Sequence, residues 1–312
     1  MKKLLVGFIM DGKSGGIDKY LLNFLVNVSN EEVRIDFLTN EIDVELQTEL
    51  KKFHSDLYAI ANLKHPVSQY RQVCRIMKEG QYDAVYLNIS TAIDCIAAIA
   101  AKHSGVERRM IHSHSSGNDC ESALKRNLFN GIHKLCRLFL YRYGTEFYGC
   151  SVKAGEWLFP KKIVNSSKFC VIHNAVDREK YKYSVQKREE IRGSMGITDQ
   201  FVIGHVGNFC YQKNHYFLLD VFEEVHKKDS NTVLLLAGDG VRFEKFRQIV
   251  AEKNLEDVVK LLGRRSDTDY LYQGMDAFLL PSNFEGLPIA GIEAQSAGLP
   301  CFMSDEITKE SK

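Results

Sequence analysis

Short apolar runs alternate along this chain with longer segments in which apolar residues recur every three or four positions. In the first half, the apolar runs predict strands at residues 4–10, 33–38, 57–60, 84–87, 109–112, 146–148 and 169–172. The helical periodicity predicts helices at residues 19–28, 67–78, 92–102, 122–141 and 152–158. Strands and helices that alternate at this spacing are typical of a parallel sheet with helices on both faces.

A second set of the same kind follows residue 198. Its predicted strands are 201–206, 233–237, 259–262, 278–280 and 301–303, and its predicted helices are 216–227, 241–253, 267–274 and 289–297. We therefore place one domain at residues 1–177, a charged, tyrosine-containing linker at 178–198 and a second domain at 199–312. A chain of 312 residues suits two α/β domains better than one core.

The stretch from residue 281 to 294 carries two glutamates across a predicted strand-to-helix turn. A helix is expected to begin near Ile289, because Pro288 suits a first-turn position. The backbone N–H groups of that turn would form an anion site suited to a diphosphate. Glu285 would lie beside the anion and Glu293 about two turns later on one helix face, so that one carboxylate contacts a sugar and the other a ribose. The alternative is an ordinary loop with two solvated glutamates.

This stretch resembles the E-x7-E signature of retaining glycosyltransferases of family 4, which have the two-domain GT-B fold. The resemblance continues in order over nearly the whole chain, through Gly15-Gly16, His112, Val206-Gly207, Gln212-Lys213-Asn214-His215, Gly238-Asp239-Gly240, Leu262-Gly263-Arg264, Leu280-Pro281-Ser282 and Glu293-Ala294-Gln295-Ser296-Ala297-Gly298. The carboxy-terminal motifs are highly specific, whereas the amino-terminal ones are weak alone. Bacterial capsule and exopolysaccharide enzymes are the most similar branch.

The resemblance implies an α/β protein with two facing, Rossmann-like, doubly wound parallel-sheet domains. Family members usually continue with another strand and several helices after the position of residue 312. The second domain is therefore expected to be incomplete at its C-terminal end. Because ligands of such sheets bind at the carboxyl ends of the strands, where these motifs fall, we expect one cleft between the domains.

The resemblance also implies roles for individual residues. Lys213 would stabilise charge on a departing nucleoside diphosphate, Glu285 would orient the sugar, and His112 would reach the sugar from the first domain. The predicted donor-binding residues are Gly15, Gly16, Gly238, Asp239, Gly240, Arg264, Gly286, Leu287, Pro288, Ile289 and Glu293. Many relatives have an arginine where this chain has Asn208, which removes a bidentate phosphate contact. Structural alternatives stay open: a surface lysine at 213, a core histidine at 112, and either a helix cap or an acceptor contact at Asp18.

Neither a metal nor another cofactor is predicted. His112 and His114 have no carboxylate or cysteine at ligand spacing. Asp267 and Asp269 resemble the metal-binding Asp-x-Asp of the other major glycosyltransferase fold, but helix capping and dipole pairing explain them here. Three features favour a cytoplasmic protein. The eight cysteines are scattered, no cleavage site follows the basic, apolar start, and no apolar run is long enough to span a bilayer.

Seven basic residues lie from position 108 to position 142, and the four of them within the predicted helix 122–141 are interleaved with apolar residues. Such a helix can lie on an anionic membrane surface, or it can bury its apolar face in the core, and we favour the core. Nucleic-acid binding is disfavoured because no recognised module accompanies these charges.

The first functional hypothesis is a metal-independent, retaining hexosyltransferase. It would move a hexose from a nucleotide sugar, expected to be a UDP-sugar, to a saccharide or polyprenyl-linked saccharide during surface polysaccharide synthesis. The second is a catalytically weak or inactive nucleotide-sugar-binding partner protein, because of Asn208 and the expected incomplete end. A nicotinamide-dependent dehydrogenase is disfavoured, since no Gly-x-Gly-x-x-Gly fingerprint follows a predicted strand.

Overall fold

The structure is a computed structural model that describes residues 1–12, 15–29 and 32–311. The chain forms two compact units, Met1–Asn174 (unit 1) and Ala175–Lys312 (unit 2). Each unit is built on one parallel sheet.

Unit 1 alternates strands and helices around a seven-stranded sheet of order β3-β2-β1-β4-β5-β6-β7. The strands are β1 (Lys2–Gly7), β2 (Val33–Thr39), β3 (Leu57–Ala59), β4 (Ala84–Ile89), β5 (Arg108–Ser113), β6 (Glu146–Gly149) and β7 (Phe169–Val171). The helices are α1 (Gly16–Val28), α2 (Val44–Lys51), α3 (Pro66–Gly80), α4 (Ile96–His103), α5 (Ala123–Leu140), α6 (Val152–Leu158) and α7 (Lys161–Val164).

Successive residues of the central strands alternate between two cores. Leu5 of β1 packs into the core on one face of the sheet, whereas Leu4 and Val6 pack into the core on the other. The alternation follows from the two-residue period of a strand, and both faces are apolar because helices cover both.

Unit 2 has a five-stranded sheet of order β10-β9-β8-β11-β12. Its strands are β8 (Phe201–Val206), β9 (Thr232–Ala237), β10 (Val259–Leu261), β11 (Ala277–Leu280) and β12 (Cys301–Met303). Its helices are α8 (Arg178–Tyr181), α9 (Val185–Ser194), α10 (His215–Lys228), α11 (Phe243–Glu252), α12 (Thr268–Gly274) and α13 (Ile289–Ser296), followed by a 3-10 turn at Lys309–Ser311.

The twelve predicted strands are all present, and the structure adds helices that the pattern did not predict. Two of these, α8 and α9, lie in the segment 178–198 that was expected to be a linker. Tyr181 and Ile191 are buried in a core of unit 2, and the guanidinium groups of Arg188 and Arg192 bind Asp276. The segment therefore folds as part of unit 2, and the units divide at residues 174 and 175.

Among the described residues, no helix has the length and apolar content required to cross a bilayer.

Candidate functional site

The loops that follow β8 and β11 meet at the carboxyl edge of the sheet of unit 2. β8 pairs with β9 on one side and β11 on the other, so this is the point where the strand order reverses. Asn283 joins the two loops, because its backbone N–H donates to Gln212 O at 2.8 Å and its side-chain amide donates to Tyr211 O at 2.7 Å. The two loops therefore hold each other in place.

Lys213 and Glu285, both predicted as site residues, form an ion pair across these loops. Nζ of Lys213 lies 2.5 Å from Oε1 of Glu285, whose residue is only 5% exposed. Ser282 Oγ donates to the same oxygen at 2.9 Å, and Gln212 Nε2 donates to the other at 2.9 Å. No role was predicted for Ser282 or Gln212, although both lie within the motifs that carry the family resemblance. The arrangement fixes a carboxylate and an ammonium at one sheet edge.

Helix α13 begins at Ile289, which confirms the predicted helix start. Pro288 occupies the N-cap position, and its carbonyl accepts hydrogen bonds from the N–H groups of Gly291 and Ile292. Glu285, the three residues that follow it and Ile289 are all buried. The helix therefore starts directly beside the ion pair, and a diphosphate at its first turn stays a prediction.

Glu293 is held by two tyrosines that sequence reasoning did not identify. Its carboxylate oxygens accept hydrogen bonds from the hydroxyls of Tyr181 on α8, at 2.7 Å, and Tyr272 on α12, at 2.8 Å. Burial is the main cause that raises the pKa of both tyrosines, and the charge of Glu293 raises it further. Glu293 is 1% exposed, so its carboxylate points into the body of unit 2. The predicted ribose contact would have to be made alongside these hydroxyls or in exchange for one of them.

The turn at Gly238, Asp239 and Gly240 packs closely against the loop after β8. A Cβ atom at Gly238, where φ is +150°, would lie 1.9 Å from the carbonyl oxygen of Gly207. The N–H of Gly238 donates to Gly263 O, and the carbonyl of Asp239 accepts from Phe209 N. Two of the backbone groups that were expected to contact the nucleotide base, the N–H of Gly238 and the carbonyl of Asp239, are thus already hydrogen-bonded within the protein. The side chains of Asp239 and Arg264 are exposed. Base recognition stays a prediction.

In unit 1, Gly15 and Gly16 lie at the start of α1. Gly15 is the N-cap residue with φ of +118°, a conformation that favours glycine. Asp18 is not the helix cap, because its carboxylate accepts the N–H groups of Met10, Asp11 and Gly12. Burial raises the pKa of Asp18 to about 6, although these three donors act in the opposite direction. Asp18 therefore organises residues 10–12, which follow β1.

His112 lies at the end of β5 and is fully buried. Its Nδ1 is 2.5 Å from the hydroxyl of Tyr86, whereas its Nε2 has no hydrogen-bond partner within the part of the chain that the structure describes. Nε2 of His114 lies 2.8 Å from Oδ1 of Asn88. Burial lowers the pKa of both rings, to about 3 for His114, so both are neutral at pH 7.

The Asp-x-Asp pair of α12 is occupied by basic side chains. Asp267 lies at the N-cap but makes no side-chain capping bond, and it binds Arg265 instead at 2.6 Å and 2.8 Å. The predicted capping by its side chain is therefore wrong. Asp269, in the first turn, pairs with Lys187 at 3.2 Å. Within residues 1–12, 15–29 and 32–311, no group of three or more His, Cys, Asp or Glu side chains could hold a metal.

The expectation that α5 buries its apolar face in the core is wrong. Of this helix, His133 and Leu140 are buried. The exposed apolar side chains, between 36% and 82% accessible, are Leu124, Leu128, Phe129, Ile132, Leu135, Leu138 and Phe139. Amphipathic periodicity predicts an apolar face but does not specify what covers it.

Comparison with known proteins supports the resemblance of unit 2 to glycosyltransferases. A family model described as Glycosyl transferases group 1 matches residues 187–309. "Putative glycosyltransferase EpsF" of Bacillus subtilis is 29% identical over 95% of this chain and 77% of that protein. UDP-Gal:alpha-D-GlcNAc-diphosphoundecaprenol alpha-1,3-galactosyltransferase of Escherichia coli is 28% identical over 79% of this chain and 62% of that protein.

The fold is also found among solved structures. HepE of Anabaena, in complex with UDP and glucose, superimposes with a TM-score of 0.78 at 20% identity, over 98% of this chain and 81% of HepE. The expected incompleteness of the second domain stays a prediction. The two parallel-sheet units have the GT-B fold of glycosyltransferases, and residues 187–309 match the model of the family Glycosyl transferases group 1.

Proposed function

We propose that this chain is a retaining, metal-independent hexosyltransferase that uses a UDP-sugar. The acceptor would be a saccharide or a polyprenyl-linked saccharide of a bacterial surface polysaccharide. The observation that carries the proposal is the Lys213–Glu285 ion pair, buried at the strand-order reversal directly before α13. A charged pair at that position suits the transfer of a sugar away from a diphosphate.

The proposed chemistry separates charge in the transition state. As the bond from the sugar to the diphosphate breaks, the sugar becomes oxocarbenium-like and negative charge collects on the leaving group. Lys213 would donate to that leaving group together with the first turn of α13. Glu285, oriented by Ser282 and Gln212, would hold the sugar, and no side chain is assigned as a covalent nucleophile.

The names of two similar proteins support the choice of substrates. The E. coli relative is named for a UDP-Gal donor and a diphosphoundecaprenol-linked acceptor. A second relative, of Staphylococcus aureus, is named a capsular polysaccharide biosynthesis glycosyltransferase. We extend the UDP-sugar and the lipid-linked acceptor to this chain as the substrates to test first.

A donor screen tests the proposal. The chain is incubated with several UDP-hexoses and polyprenyl-linked acceptors, and released UDP and the anomeric configuration of the product are measured. We expect UDP release that survives a metal chelator, a product with the anomeric configuration of the donor, and a loss of rate in Lys213→Gln. Lys227→Gln is the matched control, because Lys227 forms an ion pair of the same N–O length on the surface.

Three results would each contradict part of this proposal. Inversion at the anomeric carbon would refute retention. Strict dependence on Mn²⁺ or Mg²⁺ would refute metal independence and return attention to Asp267 and Asp269. An unaltered transfer rate in Lys213→Gln would remove the leaving-group role of the lysine.

We also propose that α5 docks on an anionic membrane surface, where a polyprenyl-linked acceptor would be found. Of the seven basic residues from position 108 to position 142, four bind protein groups, namely Arg108, Arg109, Arg126 and Arg137. Lys125, Lys134 and Arg142 are exposed on or directly after the helix that carries the apolar face. Three cations near an anionic leaflet would contribute about 3 kcal/mol, at about 1 kcal/mol each.

Vesicle co-sedimentation tests the docking surface. Binding is expected to anionic vesicles at low salt and to be much weaker to neutral ones, and Leu128→Ser with Leu135→Ser should abolish it. Val44→Ser, which removes an even more exposed apolar side chain from α2, is the control. Equal partitioning to both vesicle types would refute the electrostatic contribution. Dimers that the α5 substitutions dissociate, without vesicle binding, would identify the face as a self-association surface instead.

A further inference from the structure

Three side chains from three elements of unit 1 form a short hydrogen-bond chain. The hydroxyl oxygen of Tyr20 on α1 lies 2.7 Å from that of Tyr86 on β4. The hydroxyl of Tyr86 lies 2.5 Å from Nδ1 of His112 on β5. Tyr86 is buried, and the chain ends at Nε2 of His112, which has no hydrogen-bond partner in residues 1–12, 15–29 and 32–311.

The direction of these hydrogen bonds decides which nitrogen of His112 carries the hydrogen. Each tyrosine hydroxyl has one proton to donate, and a neutral imidazole has one donor and one acceptor nitrogen. A phenol O–H is a stronger acid than an imidazole N–H. An unprotonated imidazole nitrogen is a better acceptor than a phenol oxygen. Tyr86 therefore donates to Nδ1 and accepts from Tyr20, which leaves the hydrogen of the ring on Nε2.

The neighbouring histidine does not offer the same donor. The amide nitrogen of Asn88 donates to the carbonyls of Gly7 and Tyr86, which turns its Oδ1 toward His114. The Nε2 hydrogen of His114 is used in that contact at 2.8 Å. The two rings lie 4.1 Å apart, and of the two, only the His112 ring keeps a buried donor without an acceptor among the residues that the structure describes.

A histidine with a purely structural role is seen elsewhere in the same unit. Nδ1 of His133 accepts the N–H of Ala92 at 3.0 Å, and its Nε2 donates to the carbonyl of Trp157 at 3.0 Å. Both ring nitrogens of His133 are thus satisfied within the protein. At His112 the described residues satisfy only the nitrogen that faces Tyr86, and a buried donor without an acceptor is unfavourable until one is supplied.

We propose that Tyr86, supported by Tyr20, is a positioning residue that fixes His112 as an Nε2–H donor to an acceptor oxygen of a bound substrate. The identity of that oxygen rests on the proposed function, in which it belongs to the hexose being transferred. The tyrosines act only through His112, and His112 makes the contact.

Nitrogen NMR of the full chain tests the proton position without any substrate. The imidazole rings are labelled with ¹⁵N, and the signals of His112, one of ten histidines, are assigned from their absence in His112→Gln. We expect a protonated Nε2 and an Nδ1 at the shift of a hydrogen-bonded acceptor. Tyr86→Phe should move Nδ1 to the shift of an unbound acceptor, whereas Tyr20→Phe should leave it bound. A hydrogen on Nδ1 in the native protein would overturn the proposal.

Transfer kinetics with a UDP-hexose test the consequence. Tyr86→Phe is expected to lower kcat/KM about tenfold, the loss equivalent to one hydrogen bond, and His112→Gln at least as much. Tyr82→Phe is the matched control, because it removes another buried hydroxyl of unit 1, one that binds Asp36 at 2.8 Å. A native rate in His112→Gln would overturn the proposal even with the expected spectrum. No transfer by the native chain would instead refute the proposed function and leave the spectra to decide the role of Tyr86.

Discussion

Replacing Lys213 with methionine is expected to lower the free energy of unfolding, because Glu285 would lose its counter-ion in a nearly inaccessible position. At an N–O distance of 2.5 Å the attraction is about 7 kcal/mol for an effective dielectric constant near 20. Desolvation of both ions opposes most of this gain. Ser282 and Gln212 would still donate to Glu285 in the variant, which softens the loss. We therefore expect a destabilisation of about 2–3 kcal/mol, at the low end for a broken buried pair.

A double-mutant cycle separates the pair from its surroundings. Glu285→Gln in the Lys213→Met background should recover about half of the lost stability, because it removes the buried charge that Lys213 no longer balances. The control cycle uses Lys227 and Glu224, whose N–O distance is also 2.5 Å but whose side chains are both 68% exposed. Solvent screens that pair, so its coupling should be too small to resolve.

The assay is urea unfolding followed by far-UV circular dichroism. Fluorescence of Trp157, the single tryptophan, reports separately on unit 1. Equal coupling energies for the two pairs would refute the argument that burial strengthens Lys213–Glu285. The cycle is then repeated with saturating UDP, where we expect the coupling to fall as the lysine turns to the diphosphate. A coupling that UDP leaves unchanged would refute the leaving-group role.

Three further predictions follow from the described contacts. Glu293→Gln should weaken UDP binding by about 1.5–3 kcal/mol, the range for a hydrogen bond to a charged group, and should abolish discrimination against 2′-deoxy-UDP in calorimetry; unchanged affinity in a folded variant would remove the ribose role. The carboxyl ¹³C signal of Asp18 should titrate near pH 6 instead of its ordinary 3.8. Because the folded state holds this proton more tightly, the free energy of unfolding should fall as pH rises from about 4 to about 6, and Asp18→Asn should reduce that slope; a midpoint near 4 would contradict the burial argument. Gly238→Ala should destabilise the protein by at least about 2 kcal/mol in urea unfolding, since its Cβ would overlap Gly207 O. Gly193→Ala in α9, where the Cβ meets nothing within 4 Å, should stabilise the protein by about 0.5–1 kcal/mol. Effects of the same sign would contradict this argument.

The sequence predicted the strands, and it predicted the placement of Lys213 and Glu285 at the carboxyl ends of strands, because both depend on local order. Apolar runs of strand length specify buried strands, and residues directly after parallel strands share one sheet edge. Lys213 and Glu285 meet because β8 and β11 are neighbours. The pattern of strands and loops therefore predicted the shared sheet edge, but it did not predict the ion pair between the two side chains.

The contacts of Glu293 could not be predicted in this way. Tyr181 precedes it by 112 residues and lies in a segment whose charge resembles a linker. Helix α9 in that segment is nearly all polar, and the contacts that fix it join Arg188 and Arg192 to Asp276, 88 and 84 residues away. Tertiary ion pairs, which leave no local periodic signal, hold these helices in place.

The few buried side chains of α5 bear on how readily this helix opens. Hydrogen exchange proceeds through local openings whose free energy reflects the contacts that each opening breaks. Helix α3 buries Gln69, Val73, Ile76 and Met77 over 15 residues, whereas α5 buries His133 and Leu140 over 18. The amides of α5 are therefore expected to exchange well before those of α3 and by a separate opening. A helix that opens on its own can change its tilt without disturbing the sheet that carries His112.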